Sequence, residues 1–260
     1  MGASQALALE QLLAGRGFAR KPGGLLSGAG ARLARACELP ARHSSRGSDS
    51  LIDLLTLRNP GEGVGLVELT ARRSSGRFAI ALAALAAATS AGEAAALVDL
   101  GDHLDPQGAE EAGVDLARLL WVRPRRAKEA LAAAEMLLSA GFPLVVADFG
   151  LWPRGARFLP DAAWVRLARA AQKRGSALLL ATPWRLAGVA AQSAVSASSS
   201  RPRWQGGGRA PLLLAGLSAR LTLERDARAR SGLAEPLTLR APEALVPLSL
   251  LPLCDRVPSC

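Results

Sequence analysis

From residue 51 onward, the hydrophobic and polar residues of this chain form blocks that predict strands and helices in alternation. Four short apolar runs have the length and composition of buried strands. They are Gly65–Thr70, Ala95–Leu100, Pro143–Asp148 and Ser176–Thr182. In the segments around them, apolar positions recur at helical spacing. The predicted helices are Leu51–Leu57, Phe78–Ser90, Lys128–Leu138 and Asp161–Arg174.

This alternation is typical of an α/β fold. Strands that are separated by helices pair in parallel, and the helices then cover both faces of the sheet. We therefore predict a mostly parallel central sheet flanked by helices. Two further strands are predicted at Leu212–Leu223 and Leu237–Leu239, whereas the Ser- and Gly-rich residues 185–210 are expected to form a mobile loop.

The domain organisation follows from where this pattern starts and stops. A chain of 260 residues, 50% of them hydrophobic, can bury one sizeable core. We predict a single α/β domain over residues 47–240 and a tail over residues 241–260. Residues 1–46 are predicted to be a basic N-terminal arm, since the first fifty residues hold seven Arg or Lys but three Asp or Glu.

The net charge of +10 favours a polyanionic partner, and nucleic acid is the first candidate. A solvated basic surface without a partner is the alternative. No metal site or disulfide framework is predicted, because Cys37, Cys254 and Cys260 are far apart and His43 and His103 lack metal-ligand spacing. No leader sequence and no apolar run of membrane-spanning length is recognised, so a cytoplasmic protein without membrane contact is expected.

The turn after the first predicted strand contains a fragment of a phosphate-binding loop. Such loops lie between a strand and a helix, because the helix N-terminus offers free N–H groups. A functional loop reads G-x-x-x-x-G-K-[ST]. Here Gly76 retains the second glycine, whereas Ala71, Arg77 and Phe78 replace the first glycine, the lysine and the metal-binding hydroxyl. An ordinary turn without a ligand is the alternative.

The order and spacing of the motifs resemble the RecA-like recombinases over residues 47–228. The segments that carry the resemblance are Gly65–Leu69 with Ser74–Gly76, Leu97–Asp99, Leu104–Pro106, Leu144–Asp148, Leu178–Thr182 and Pro211–Arg225. The resemblance implies a RecA-like core in which Asp148 ends the Walker B strand. We expect residues 72–77 and Asp148 to meet at the carboxyl ends of neighbouring strands, where such folds place ligands.

Departures from the family pattern imply a degenerate nucleotide site. Gly101, followed by Asp102, stands where the family has its catalytic Glu, and Pro183 stands where the family has a nucleotide-sensing Gln. The residues assigned to this degenerate site are Ser74, Ser75, Gly76, Arg77 and Asp148. We expect no ATP hydrolysis and no cofactor, with weak ATP binding at the helix N-terminus as an open alternative. Asp102 is an alternative carboxylate for the missing Glu, and His103 is interpreted as a turn-stabilising residue.

Two segments match the DNA-contacting loops of the family. The second loop corresponds to residues 201–209, and the first, which is shortened here, to residues 151–160. The predicted DNA-binding residues are Arg154, Arg157, Arg201, Arg203, Trp204 and Arg209. Guanidinium groups neutralise phosphates and an indole stacks on an unpaired base, so single-stranded DNA is the expected partner. A solvated loop that binds nothing specific is the alternative.

Among RecA-like proteins, the chain resembles the ImuA group, which accompanies inducible translesion polymerases. The resemblance implies a non-catalytic accessory protein of DNA repair in the SOS response, with a recombinase or a translesion polymerase as protein partner. Two alternatives stay open. One is an active ATP-dependent recombinase, and the other is an interaction module that regulates recombinase filaments without touching DNA.

Overall fold

The computed structural model describes residues 51–55, 65–72, 75–206, 213–226 and 232–240. The predicted N-terminal arm and C-terminal tail lie outside these residues, as do residues 56–57 of the first predicted helix. The helices are α1 (Leu51–Leu55), α2 (Arg77–Ser90), α3 (Pro106–Glu111), α4 (Ala127–Ala140) and α5 (Asp161–Arg174). The strands are β1 (Gly65–Ala71), β2 (Ala95–Asp99), β3 (Leu119–Val122), β4 (Leu144–Asp148), β5 (Ala177–Thr182), β6 (Ser193–Gln205), β7 (Leu213–Asp226) and β8 (Ala234–Arg240).

All described strands form one sheet, in the order β3-β2-β4-β5-β1-β6-β7-β8. The pairs from β3 to β6 are parallel, and β6–β7 and β7–β8 are antiparallel. The prediction of a mostly parallel central sheet flanked by helices is therefore confirmed. The parallel strands carry their carboxyl ends to one edge of the sheet, and the loops that follow β1, β2, β3, β4 and β5 meet there.

Two hydrophobic cores lie on opposite faces of this sheet. On one face, Leu69 and Leu97 pack with Ile80 and Leu85 of α2. On the other face, Leu66 and Val145 pack with residues of α4 and α5, among them the fully buried Trp164. Alternate residues of each central strand serve the two cores, which explains why these strands read as continuous apolar runs. None of the described helices is long and apolar enough to cross a bilayer.

The structure corrects the prediction for residues 185–210. Ser193–Gln205 is the thirteen-residue strand β6 and is not a mobile loop. It pairs with β1 on one side and with β7 on the other, and its Val195 and Ala197 side chains enter the core. The serines misled the prediction because they have low strand propensity, whereas hydrogen bonding to two neighbouring strands decides the conformation.

Two further elements, α3 and β3, were not predicted. The helix α3 begins at Asp105, whose carboxylate accepts a hydrogen bond from the Gly108 N–H, and Pro106 occupies its first turn. This Asp-Pro pair is a helix-start signal. The half-buried strand β3 pairs in parallel with the edge of β2, and its four residues are too few for a periodicity to show.

Candidate nucleotide site and nucleic-acid surface

The turn between β1 and α2 positions the first part of the predicted nucleotide site. Gly76 has a φ of +80°, a left-handed conformation that favours glycine, and it directly precedes α2. The Ser75 hydroxyl donates a hydrogen bond to the Arg72 carbonyl at 2.6 Å, so it stabilises the turn itself. Ser74 lies outside the described residues. The first helical residue is Arg77.

Arg77 and Asp148 form an ion pair in the interior. An Arg77 Nη2–Asp148 Oδ1 distance of 3.1 Å joins side chains that are 5% and 0% exposed. Arg77 Nη1 also donates a hydrogen bond to the Ala71 carbonyl at 3.2 Å. The Arg77 Nε and Asp148 Oδ1 atoms lack a hydrogen-bond partner, so the contact is close but imperfectly aligned. Burial lowers the pKa of Arg77, and Asp148 opposes this effect.

This ion pair joins the β1–α2 turn to the end of β4, as predicted. The prediction that these segments follow neighbouring strands was wrong. β1 and β4 are not neighbours, because β5 lies between them in the sheet. The Arg77 side chain therefore reaches across the end of β5 to meet Asp148. Its guanidinium thereby links the end of β1, the start of α2 and the end of β4.

His103 contacts the other oxygen of the same carboxylate. Its Nδ1 lies 2.9 Å from Asp148 Oδ2, and this hydrogen bond is the main reason why the pKa of His103 is raised above 6.5. Asp99, which ends β2, accepts hydrogen bonds from the His103 and Leu104 N–H groups at 3.0 Å each. Trp121 Nε1 also donates to Asp99, at 3.2 Å. Asp99 therefore fixes the loop that presents the imidazole.

Asp102, the alternative carboxylate, is engaged elsewhere. Both of its oxygens accept hydrogen bonds from Arg123 at 2.7 Å, and this contact lowers the pKa of Asp102. Its φ of 53° is unusual for a residue other than glycine. The neighbouring Gly101 lies so close to the β4 exit that an added Cβ would be 2.9 Å from Gly150 Cα and 2.6 Å from the His103 ring. A larger residue therefore cannot replace Gly101 unless these groups move.

The far strands of the sheet reach over the β1–α2 turn. A Cβ added at Gly76 would collide with the Leu239 side chain of β8 and would lie 3.4 Å from Leu217 of β7. What remains open beside the turn is a pocket of about 210 Å³, lined by Arg72, Ser75, Gly76, Arg77, Phe78, Ala79, His103 and Leu151. This volume is below the 300–1,000 Å³ that is usual for small-molecule sites.

The residues at this site do not match the requirements of a magnesium–nucleotide group. Asp99, His103 and Asp148 place ligand atoms within 4.8 Å of one another, but Asp148 already faces the Arg77 guanidinium. The Asp99 oxygens accept three N–H donors, and Phe78 has no hydroxyl to offer. Magnesium requires near-ideal octahedral oxygen ligation, which this set does not supply.

The predicted first DNA-contacting loop follows β4 and exposes two aromatic rings, Trp152 and Phe158. Arg157 is not free, because its guanidinium lies 4.6 Å from the centre of the Trp184 ring. Within the described part of the chain, Arg154 has no hydrogen-bond or ion-pair partner. The two arginines predicted for this loop therefore differ: one is held by an indole and the other is available.

The predicted second DNA-contacting loop is largely strand. Arg201, Arg203 and Trp204 lie in β6, paired with Ser218, Gly216 and Leu214 of β7, and Arg209 lies outside the described residues. All three are exposed, and Trp204 retains 58% of its accessible surface. Strand pairing, with irregularities between Ser198 and Arg201 and between Arg203 and Trp204, replaces the loop that was predicted for these three residues.

Comparisons with known proteins found similarity to one family over part of the chain. The RecA N-terminal domain family matches residues 34–152. The RecA protein of Mycobacterium marinum (strain ATCC BAA-535 / M) is 39% identical over 84 residues, which are 32% of this chain and 24% of that protein. The RecA protein of Mycobacterium avium (strain 104) is 41% identical over 76 residues, 29% of this chain and 22% of that protein.

A solved structure extends the likeness to the fold. The crystal structure of the RadB recombinase superimposes with a TM-score of 0.50 over 67% of this chain and 86% of that chain, at 16% identity. The chain has a RecA-like fold. Together, the matches show similarity to RecA proteins over part of the chain and a RecA-like fold. The aligned part of the RecA-like chain spans about a quarter of the length of the two mycobacterial relatives.

The candidate-site residue that the sequence did not place is His103, which was interpreted as a turn-stabilising residue and contacts Asp148 in the structure. The sequence signal was an Asp at the end of a predicted strand with a His four residues later. That spacing predicts a turn as readily as a site, because only the parallel pairing of β2 with β4 brings His103 next to Asp148.

Proposed function

We propose that this protein is a non-catalytic RecA-like protein of DNA repair or recombination, which acts by binding single-stranded DNA and a protein partner. The Arg77–Asp148 ion pair carries the proposal. Phosphoryl transfer needs a metal ion and positioned charges around the phosphates. The carboxylate that corresponds to the family's Walker B position is instead neutralised by a buried guanidinium and an imidazole.

Gly101 supports the same conclusion independently. By resemblance, this position belongs to the catalytic Glu, yet a Cβ there would press on His103 and on the Gly150 backbone. The packing of the loops after β2 and β4 therefore leaves no space for a glutamate side chain at this position. The carboxylate of the next residue, Asp102, is bound to Arg123 at both oxygens.

The corresponding experiment measures phosphate release from ATP with and without single-stranded DNA. We expect no turnover above background, and the same background for Asp148→Asn. DNA-stimulated release that disappears in Asp148→Asn would instead establish an active recombinase. We propose that the protein needs no cofactor, and that any ATP bound beside Gly76 binds weakly because Leu239 and Arg77 occupy much of the space.

The end of the β6–β7 hairpin is the proposed surface for single-stranded DNA. Arg201 and Arg203 are exposed on β6 and have no ion-pair partner within the described residues. The indole of Trp204, next to them, is exposed for stacking, which contributes roughly 1–3 kcal/mol per base. The net charge of +10 favours association with a polyanion.

Two variants separate the charge contribution from the stacking contribution. Arg201→Ala with Arg203→Ala should weaken binding to single and double strands alike, and should reduce the slope of affinity against salt by about 0.7 per lost phosphate contact. Trp204→Ala should weaken binding to single strands preferentially and leave the slope nearly unchanged. Fluorescence anisotropy with a short labelled oligonucleotide measures both effects. If the parent binds and neither variant differs from it, the DNA surface lies elsewhere.

By resemblance to the ImuA-type proteins, we propose a recombinase or a translesion polymerase as the protein partner. A second candidate function, an interaction module that does not bind DNA, is favoured by one observation. Leu213 and Leu214 of β7 are more than half exposed beside Trp204, and exposed apolar groups of this kind mark protein interfaces. If the parent fails to bind DNA at low salt, but Leu213→Glu abolishes co-sedimentation with recombinase filaments, the module is the correct assignment.

A further inference from the structure

A second and larger cavity borders the pocket beside the β1–α2 turn and shares His103 and Leu151 with it. Its volume is about 390 Å³, within the range that is usual for small-molecule sites. Three loops form it, and they follow β2, β3 and β4, which are adjacent and parallel at one end of the sheet. Its lining includes Gly101 after β2, Arg125 after β3, and Gly150, Trp152 and Arg154 after β4. We name it the β2–β4 cavity.

The charge of the β2–β4 cavity is unbalanced. Its lining contains Arg125, Arg154 and His103 but no Asp or Glu. Within the described part of the chain, the guanidinium groups of Arg125 and Arg154 have neither a carboxylate nor a hydrogen-bond acceptor. This distinguishes them from Arg77, Arg118, Arg123, Arg166 and Arg185, which all pair with carboxylates. Two unpaired arginines on opposite walls of one cavity are suited to hold an anion.

The carboxylates near the β2–β4 cavity do not cancel this charge. Asp102, next to the floor, is bound to Arg123 at both oxygens. Asp148 is shared between Arg77 and His103. The Glu129 carboxylate accepts a hydrogen bond from the Arg125 backbone N–H at 2.9 Å, so it caps the start of α4.

The shape and the aromatic wall indicate the class of anion. Trp152, which is 76% exposed, presents an indole beside Arg154. The floor is made by Gly101 and Gly150, whose backbones approach so closely that a Cβ on either would be within about 3.0 Å of the other. A flat ring that carries a phosphate would match the indole and the two arginines at once.

We propose that the β2–β4 cavity is a binding site for one nucleotide unit, with the phosphate between Arg125 and Arg154 and the base against Trp152. The β2–β4 cavity shares His103 and Leu151 with the pocket beside Gly76 but has its own arginines. Trp152 and Arg154 lie in the predicted first DNA-contacting loop, whereas Arg125 belongs to neither predicted loop. A free mononucleotide and a nucleotide within a single strand offer the same chemistry. Binding of a nucleotide within a single strand rests on the proposed DNA-binding function, whereas binding of a free mononucleotide does not.

The first measurement is the anisotropy of a short labelled single-stranded oligonucleotide at several salt concentrations. Arg125→Ala should bind about five- to tenfold more weakly than the parent, and its salt slope should fall by about 0.7 for one lost phosphate contact. Arg126→Ala is the matched control, because it removes the same charge from the next residue, which is exposed but does not line the cavity. It should bind as the parent does.

The second measurement is tryptophan fluorescence during titration with thymidine monophosphate, thymidine or inorganic phosphate. Only thymidine monophosphate should quench saturably at low millimolar concentrations, and Trp152→Phe and Arg125→Ala should each abolish this quenching. Saturable quenching without oligonucleotide binding supports the site and identifies a free nucleotide as its ligand, and it refutes the proposed DNA-binding function. If the oligonucleotide binds but Arg125→Ala equals Arg126→Ala and Trp152→Phe changes nothing, the site is refuted and the DNA-binding function stands. If neither ligand binds, both are refuted.

Discussion

Replacing Arg77 by methionine should destabilise the fold, because it leaves a buried carboxylate without its main cation. Asp148 is fully buried and the Arg77 side chain is 5% exposed, so water cannot substitute for the lost contact. Methionine keeps an unbranched, flexible side chain in the same space. The charge and its hydrogen bond to the Ala71 carbonyl are what the substitution removes.

The magnitude follows from the burial of the pair. Removing one partner of a buried ion pair costs about 3–5 kcal/mol, because the remaining charge is left uncompensated. We expect a value near the lower end, about 3 kcal/mol, since His103 still donates to the other Asp148 oxygen. Asp148→Asn should cost a similar amount because it leaves the guanidinium unpaired. The double variant should cost less than the sum of the two, by about 1–3 kcal/mol.

The assay is urea unfolding, followed by circular dichroism, for the parent, both single variants and the double variant. Arg166→Met is the matched control, because the Arg166–Glu135 pair is 3.5 Å apart and lies on the surface. Its loss should cost about 0.5 kcal/mol or less. If Arg77→Met proves as mild as Arg166→Met, or if the two buried substitutions are additive, the ion pair does not hold the site together.

Three further outcomes test the neighbouring structure. His103→Gln should lower the free energy of unfolding most at low pH. Because the pKa of His103 is raised, its charged contact with Asp148 contributes fully below pH 6.5 and is lost as pH rises through the pKa of the folded state. Urea midpoints between pH 5.5 and 8.5 should therefore show a difference from the parent that shrinks as pH rises. Gly101→Ala should lower stability by about 1–3 kcal/mol through overpacking against Gly150, and a thermal midpoint equal to that of the parent would contradict the close approach. Glu68→Ala should lower the free energy of unfolding by about 1–3 kcal/mol, because the buried N–H of residue 187 and the partly buried N–H of residue 186 lose their acceptor. Unchanged urea unfolding would show that the loop after β5 does not depend on this carboxylate.

The apolar runs and helical periodicities were sufficient to predict four of the parallel strands, β1, β2, β4 and β5. Gly65–Ala71 and Leu144–Asp148 are buried along their whole length. Their composition is therefore mostly apolar, and the strands can be predicted from the sequence alone. The amphipathic helix Asp161–Arg174 was predicted with the bounds that the structure has. These elements satisfy local and tertiary preferences together, which is why sequence reasoning succeeds for them.

The antiparallel part of the sheet was harder to predict from the sequence. Ser193–Gln205 became a strand because β1 and β7 supply hydrogen-bond partners on both sides, and β1 is distant in sequence. The same pairing placed Arg201, Arg203 and Trp204 of the predicted DNA-contacting loop in a strand. Their exposure and charge, which motivated the DNA prediction, are unaffected by this change.

At the nucleotide site, the sequence by itself determined which groups are present and which are missing. It identified Arg77, Phe78 and Gly101 as departures from the phosphate-binding pattern, because a motif is a local property of the chain. Only the tertiary structure decided what replaces the missing chemistry. Arg77 meets Asp148 across β5, and His103 meets it from the end of β2, through contacts between residues that are 71 and 45 positions apart. Sequence spacing does not encode such distances, because they depend on the order of strands in the sheet.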